Sequence, residues 1–167
     1  FSLKEISNVY TGDDLILSMV DDGEIPVASH KVENNGVGAM VDKIDNRQLF
    51  DCEKTIALAD RGCFHASVQT EDFYIGTRVK ALEMKCCVSK GVLIFIATIV
   101  NQETFKYSYG RNCTAGVENV RIKLPVKHND DGIIFIDDEH TYSDEGYVPD
   151  WQFMEDYIKS LPYGDRL

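Results

Sequence analysis

The sequence predicts an α+β protein, because several short strand patterns are separated by turn residues and a helical pattern follows near the end. The apolar residues 25–28 precede a strong Asn34-Asn35-Gly36 turn signal, and the apolar residues 55–59 are interrupted by Arg61-Gly62. With 167 residues, the chain is long enough for one domain whose core needs no disulfides.

Strand patterns continue through the middle of the chain. In residues 78–82 the basic and apolar side chains alternate, which predicts Arg78 and Lys80 on one face of a strand. The apolar run 92–100 fits either a buried strand or a core helix, and periodicity does not decide between them. The other strands are predicted at residues 73–75 and 120–125.

A helix is predicted from Asp150 onwards, because an aspartate is a favourable N-cap and apolar residues follow at helical spacing. These apolar residues are three, four and three positions apart, as in a short coiled-coil seam. The seam either docks on its own domain or begins a longer helix that packs against another segment or subunit. Its members are Trp151, Met154, Ile158 and Leu161.

The charge is acidic overall and unevenly distributed. The formal net charge is -11, which alone argues against binding to phosphates. Residues 71–127 nevertheless carry a net +4, between flanks of -6 and -9. A basic middle region can present a positive face to a partner, although ordinary scatter of surface charge gives the same counts.

The five cysteines predict reduced, mostly buried thiols, because their number is odd and Cys86 and Cys87 are adjacent. Reduced thiols point to the cytoplasm. No apolar run approaches the roughly 18 residues that a membrane span needs, so no membrane association is expected.

Reaction motifs are missing from the sequence. It contains no P-loop, dinucleotide-binding glycine fingerprint, zinc-protease motif or nucleophile elbow. Cys63 and His65 could form a nucleophile–base pair, but residues so close in sequence rarely do. The acidic runs 130–131 and 137–139 are better explained as solvated loops than as Mg²⁺ ligands. We therefore expect no catalytic residue, no metal and no cofactor in this chain.

Polar segments rich in base-reading side chains remain. Asn and Gln can bind adenine, Arg and Lys can bind guanine, and Ser or Thr can contact either base. Such residues cluster near 29–35, 61–67 and 106–112. If the third segment is extended, its tyrosines share a face with Arg111, although the same tyrosines could pack on the core of a hairpin. The candidate DNA-binding residues are Ser29, His30, Lys31, Asn34, Asn35, Arg61, His65, Lys106, Tyr107, Tyr109, Arg111 and Asn112.

Four segments in a particular order resemble the target-recognition domain of restriction–modification specificity subunits. The similarity is greatest to the recognition part of enzymes that cut and methylate DNA in one complex (types IIB and IIG), which is related to the type I specificity subunits. It covers nearly the whole chain, and the fourth segment is its most specific part. The first is residues 1–12, the second residues 23–29 followed by 34–36, the third residues 55–62 through 73–75 and 79–82, and the fourth residues 105–111, then 122–126, then 149–158.

The resemblance implies a domain with a mixed, mostly antiparallel twisted sheet and flanking helices, whose loops enter double-stranded DNA. Residues 1–148 would form this domain, and residues 149–167 would start a coiled-coil-type helix that binds methyltransferase and endonuclease subunits. The partner methyltransferase would use S-adenosylmethionine, and the partner nuclease Mg²⁺. A complete type I subunit has two recognition domains, so a homodimer or a second domain would complete the site.

Two other functions remain open from the sequence. The charge of -11 is compatible with an acidic DNA mimic, or another interaction protein, that occupies a restriction enzyme in place of DNA. The basic region 71–127 argues against a continuous acidic face. An unrecognised hydrolase that uses Cys63 or the aspartate runs is the weakest alternative.

Overall fold

The computed structural model describes residues 1–107, 111–113 and 116–166. All seven strands in these residues lie between a short first α-helix and two later α-helices, and such segregation of strands and helices is typical of an α+β fold, as predicted. Each strand predicted within residues 25–28, 55–59 and 73–75 is present. The elements are α1 (Leu3–Ile6), β1 (Ser7–Thr11), β2 (Asp22–Ala28), β3 (Val37–Val41), β4 (Thr55–Ala59), β5 (His65–Val68), β6 (Tyr74–Ile75), β7 (Val79–Met84), α2 (Lys90–Asn101) and α3 (Trp151–Ser160).

The strands form two sheets. The larger has the order β1-β7-β4-β5, and all of its pairs are antiparallel. The smaller has the order β3-β2-β6, with an antiparallel β2–β3 pair and a parallel β2–β6 pair. The predicted mixed, mostly antiparallel arrangement is therefore confirmed.

Strand β7 is buried on both faces because two of the three hydrophobic clusters in the described residues lie on its opposite sides. Leu82 and Met84 belong to the cluster that contains α2, whereas Val79 and Ala81 belong to a cluster with Phe73 and other aromatic residues. Side chains alternate along a strand, so one strand contributes to both clusters.

The apolar run 92–100 is helical and not a strand. Its helix, α2, begins after Ser89, whose side chain accepts a hydrogen bond from the backbone N–H of Val92. A side-chain oxygen at this position satisfies an N–H group that the helix itself leaves unpaired. One face of α2 is buried in the larger cluster, through Val92, Leu93, Ile96, Ala97 and Val100.

The strand predicted at residues 120–125 is wrong. This segment forms one isolated bridge, between Arg121 and Ser2, and its backbone bonds to the N-terminus through Leu3 and Ile122. The apolar and polar residues alternate because Ile122 and Leu124 are buried while Arg121 and Lys123 are exposed, without any pairing into a sheet. Residues 133–136 likewise form only isolated bridges within the segment 126–149.

Helix α3 packs on α2 through half of the predicted seam. The carboxylate of Asp150 accepts the backbone N–H of Phe153 at 2.9 Å and caps the helix as predicted. Met154 and Ile158 are buried, and α3 contacts α2. The helix ends at Ser160, and Leu161 is extended and 41% exposed. Packing of α3 on its own domain therefore explains why Met154 and Ile158 are apolar. The binding of a partner by this segment stays a prediction.

None of the helices in the described part of the chain is long and apolar enough to cross a membrane.

The packing of α3 predicts different costs for two neighbouring substitutions. Met154 is 0% exposed, so Met154→Ala should lower the free energy of unfolding by about 2–5 kcal/mol through the cavity it leaves. Phe153 is 51% exposed, so Phe153→Ala should cost less than about 1 kcal/mol. Urea denaturation of both variants measures these values. Equal costs would show that α3 does not dock as described.

Candidate nucleic-acid interface

One end of the larger sheet brings together loops that are far apart in the sequence. Strands β4 and β7 are antiparallel, and Ala59 at the end of β4 pairs with Val79 at the start of β7. The loop that follows β4 and the residues that precede β7 therefore share an edge. The backbone N–H of Gly12 donates to Val79 O at 2.9 Å, which brings the end of β1 to the same place.

Hydrogen bonds join these loops to one another. The Cys63 thiol donates to His30 O at 3.3 Å, and the backbone N–H of Gly62 donates to Asn112 Oδ1 at 3.1 Å. The backbone N–H of Asp60 donates to Arg78 O at 3.2 Å. The three predicted recognition segments thus meet at one surface. We call it the loop end, and it consists of residues 29–35, 60–63, 78 and 111–113.

The loop end displays exposed cationic and potentially cationic side chains that the protein does not use internally. Within the described residues, none of these side chains forms an ion pair or donates a hydrogen bond to the protein. An unpaired guanidinium in water is free to contact a phosphate or a guanine edge. These residues are His30, Lys31, Arg61, Arg78 and Arg111. All of them except Arg78 were predicted from the sequence as DNA-binding residues.

Other predicted residues shape the first loop. The Ser29 hydroxyl donates to Gly36 O at 3.0 Å, and the Asn35 side chain donates to Val68 O at 2.9 Å. Asn34 and Asn35 both have a left-handed backbone, with φ of 53° and 52°, which asparagine tolerates better than most residues. These side chains therefore stabilise the turn that presents His30 and Lys31.

The third segment is partly buried. Tyr107 packs against Phe64 with 4.5 Å between the ring centroids, and burial raises the pKa of Tyr107 to about 12. Of the two alternatives for the tyrosines of this segment, packing on the core is therefore the one that applies to Tyr107. Lys106 pairs with Glu103 at the surface. Tyr109 lies outside the described residues.

His65 is half-buried in β5, opposite Ala59. Desolvation by burial lowers the pKa of this histidine, so the neutral imidazole is favoured. A neutral imidazole can both donate and accept a hydrogen bond, but it offers no charge to a phosphate.

A buried ion pair lies beneath the loop end. Lys80 Nζ is 3.4 Å from Asp60 Oδ2 and donates to Thr11 Oγ1 at 2.9 Å. Asp60 is 1% exposed, and its carboxylate oxygens accept no other hydrogen bond from the described residues. The prediction that Arg78 and Lys80 share a strand face is wrong, because Arg78 precedes β7 with φ 67° and Lys80 lies inside the central strand.

The geometry does not favour the nucleophile considered for Cys63. Its thiol donates a hydrogen bond, and desolvation by burial, with a smaller contribution from Glu33, raises its pKa. A nucleophilic cysteine needs the opposite shift, towards thiolate. All five cysteines are unpaired as predicted, but only Cys52 and Cys113 are buried, so the expectation that most of them are buried is wrong.

Acidic side chains that could hold a cation are instead engaged with backbone N–H groups. Donor atoms of Asp51, Cys52 and Asp72 lie within 4.8 Å of one another. The Asp72 carboxylate accepts the Cys52 N–H at 3.0 Å, and burial raises the pKa of the Cys52 thiol, which makes it a poor ligand. In the run 137–139, hydrogen bonds from Thr141 and Glu139 hold the pKa of Asp137 below its usual range.

The fold is of the kind found in restriction–modification specificity subunits. The crystal structure of a type I restriction–modification system S subunit from M. genitalium matches 73% of this chain, and 33% of that chain, with a TM-score of 0.53 and 15% identity. This likeness shows the fold.

Sequence comparison leads to the same class. The type II restriction enzyme specificity subunit S.BcgI of Heyndrickxia coagulans is 25% identical over 138 residues, which are 81% of this chain and 35% of the relative. The chain thus spans about a third of the length of each matched protein. No family model matches. The predicted resemblance to a target-recognition domain is confirmed, and so is the prediction of a specificity module that is not itself a catalyst.

The buried pair predicts an asymmetric response to substitution. Lys80→Met leaves the Asp60 carboxylate buried without a counter-charge, which should cost about 3–5 kcal/mol of unfolding free energy. The double variant Lys80→Met/Asp60→Leu removes both charges and should recover most of that loss. Chemical denaturation of the three proteins measures the difference. A double variant as unstable as Lys80→Met would contradict the assigned pairing.

Proposed function

We propose that this chain recognises a short sequence in double-stranded DNA and directs the methyltransferase and endonuclease of a restriction–modification system to it. The observation that carries the proposal is the loop end, where three arginines, a lysine and a histidine converge and, among the described residues, have no ion-pair or side-chain hydrogen-bond partner. The likeness to specificity subunits supports the same function.

Direct readout follows from the side chains available. Arg61 and Arg111 can each present two N–H groups to O6 and N7 of guanine. Asn112 accepts the Gly62 N–H through Oδ1, and its Nδ2, which donates to none of the described residues, can contact a base. Lys31 suits a phosphate contact, which sets the register of the protein on the duplex without reading sequence.

The acidic balance is compatible with DNA binding because the most acidic segment lies away from the loop end. Residues 128–148 contain seven acidic residues and no Lys or Arg. Within this segment, Tyr142 lies beside Cys86, just after the end of β7, whereas Arg78 lies just before its start. Six strand residues separate the two ends by about 20 Å. Beyond about 10 Å, solvent-exposed charges are largely screened at 0.1 M salt.

The catalytic steps belong to partner subunits in this proposal. A methyltransferase subunit that uses S-adenosylmethionine would flip and methylate a base, with adenine implied by the resemblance. A nuclease subunit would use Mg²⁺. The system would operate in the cytoplasm, where unpaired cysteines persist.

Partner subunits would bind along α3. Two aromatic side chains on its exposed face, Phe153 and Tyr157, stack with 6.3 Å between their centroids and are 51% and 48% exposed. Trp151 and Leu161 also retain exposed surface. A second copy of the chain, or a second recognition domain, would supply the other half of a two-part site.

The first test is selection of bound duplexes from a randomised pool, at low and moderate salt, with and without the methyltransferase subunit. We expect one short motif to be enriched, with affinity that falls as salt rises because counterions are released. The opposite outcome is no enrichment together with a chain that displaces the methyltransferase from DNA. That result would support the acidic mimic, which the acidic segment 128–148 favours.

A second test removes one guanidinium. Arg111→Ala should weaken binding to the selected duplex by about 1–3 kcal/mol and relax the preference at one base pair, if Arg111 reads a guanine. Arg121→Ala is the matched control, since Arg121 is exposed beside Ser2, away from the loop end. Titration against the selected duplex and single-substitution duplexes measures both effects. An equal loss on every duplex would assign Arg111 to a phosphate.

A further inference from the structure

Arg78 has a backbone conformation that arginine rarely adopts. Its φ is 67°, in the left-handed region where the Cβ atom crowds the following carbonyl oxygen. The described non-glycine residues with positive φ are Asn34, Asn35, Asn46, Arg78, His140 and Tyr163. Asparagine visits this region more readily than most residues, so the three asparagines among them need no special explanation.

The other two residues of this set have local contacts that Arg78 lacks. The His140 ring bonds to Asp144 O at 2.6 Å, and the Tyr163 ring lies 4.9 Å from the Arg166 guanidinium. In the described part of the chain, the Arg78 side chain forms no hydrogen bond and no ion pair. Its carbonyl accepts the Asp60 N–H at 3.2 Å, but a glycine would provide that carbonyl equally well. The fold therefore gives no reason for an arginine here.

The position is also unusually well anchored. Val79, the next residue, is 1% exposed and starts the strand that lies between β1 and β4. Two residues after Arg78, Lys80 is held by Asp60 and Thr11. An arginine at this point starts from a fixed backbone, which suits directional contact with a base edge better than diffuse attraction to phosphates.

Within the described residues, no acidic side chain forms an ion pair with Arg78. Asp14 accepts a hydrogen bond from the Thr77 hydroxyl at 3.0 Å, and Arg47 donates to the backbone carbonyls of Asp13 and Asp14. Asp60 is paired with Lys80 below the surface. Arg78 itself remains exposed beside Arg61, on the loop end.

We propose that Arg78 is a specificity-determining residue that reads a guanine, and that its strained backbone is retained for this contact. This inference rests on the proposed function, because it requires that the loop end bind DNA. Strain at a site without a structural explanation is a recognised indication of function. A guanidinium matches the two acceptors of guanine in the major groove.

The proposal predicts that Arg78→Gly weakens sequence-specific DNA binding without lowering the stability of the fold. Glycine adopts positive φ without steric cost, so the melting temperature should equal or exceed that of the wild-type chain. Affinity for the duplex that the wild-type chain enriches should fall by about 10- to 100-fold, with the preference lost at one G·C pair. Fluorescence anisotropy with that duplex, and with duplexes changed at single base pairs, measures both.

Two matched controls separate charge from backbone strain. Arg121→Ala removes one exposed arginine at ordinary φ, next to the opposite end of β7, and should leave the sequence preference intact. Tyr163→Gly relieves a φ of 69° outside the loop end and should leave DNA affinity unchanged.

Three results would overturn the proposal. A lower melting temperature for Arg78→Gly would mean that the arginine serves the fold. An equal loss of affinity on all duplexes would assign it to a phosphate. Unchanged affinity and preference would remove it from the interface. If instead the wild-type chain enriches no duplex, the proposed function itself is wrong, and so is the role of Arg78 that rests on it.

Discussion

Burial of β7 on both faces is the constraint on which the rest of the structure depends. The strand pairs with β1 and β4 and contributes side chains to the two hydrophobic clusters on its opposite faces. A charged residue in such a strand needs an internal counter-charge, and Asp60 provides it for Lys80. Asp60 also starts the loop that carries Arg61. The same pair that allows a lysine in the core therefore fixes the base of the loop end.

The direction of β7 also organises the charge of the protein. Basic side chains gather where the strand starts, and the acidic segment 128–148 lies near the residues where it ends. Exposed charges about 20 Å apart interact weakly at physiological salt. A chain with a net charge of -11 can therefore present a locally positive surface, which overall composition conceals.

A packed base that carries loops fits the proposed recognition function. Loops tolerate substitution while the elements that hold them keep their packing. In this chain, single bonds such as Cys63 to His30 and Gly62 to Asn112 join loops that leave different strands. Changes in one loop can thus alter the contact surface without rebuilding the core. The likeness to specificity subunits, at 25% identity in sequence and a TM-score of 0.53 in structure, agrees with such a division.

The sequence alone determined features that depend on local chemistry. The buried strand at residues 55–59, the turn at 34–36 and the cap at Asp150 follow from neighbouring residues and are all present. The helix at residues 92–100 could not be predicted from the sequence, because an apolar run suits a buried strand as well as a buried helix. Only the tertiary structure separated buried Lys80 from exposed Arg78 and assigned Tyr107 to the core. These outcomes depend on partners distant in sequence, which no local pattern encodes.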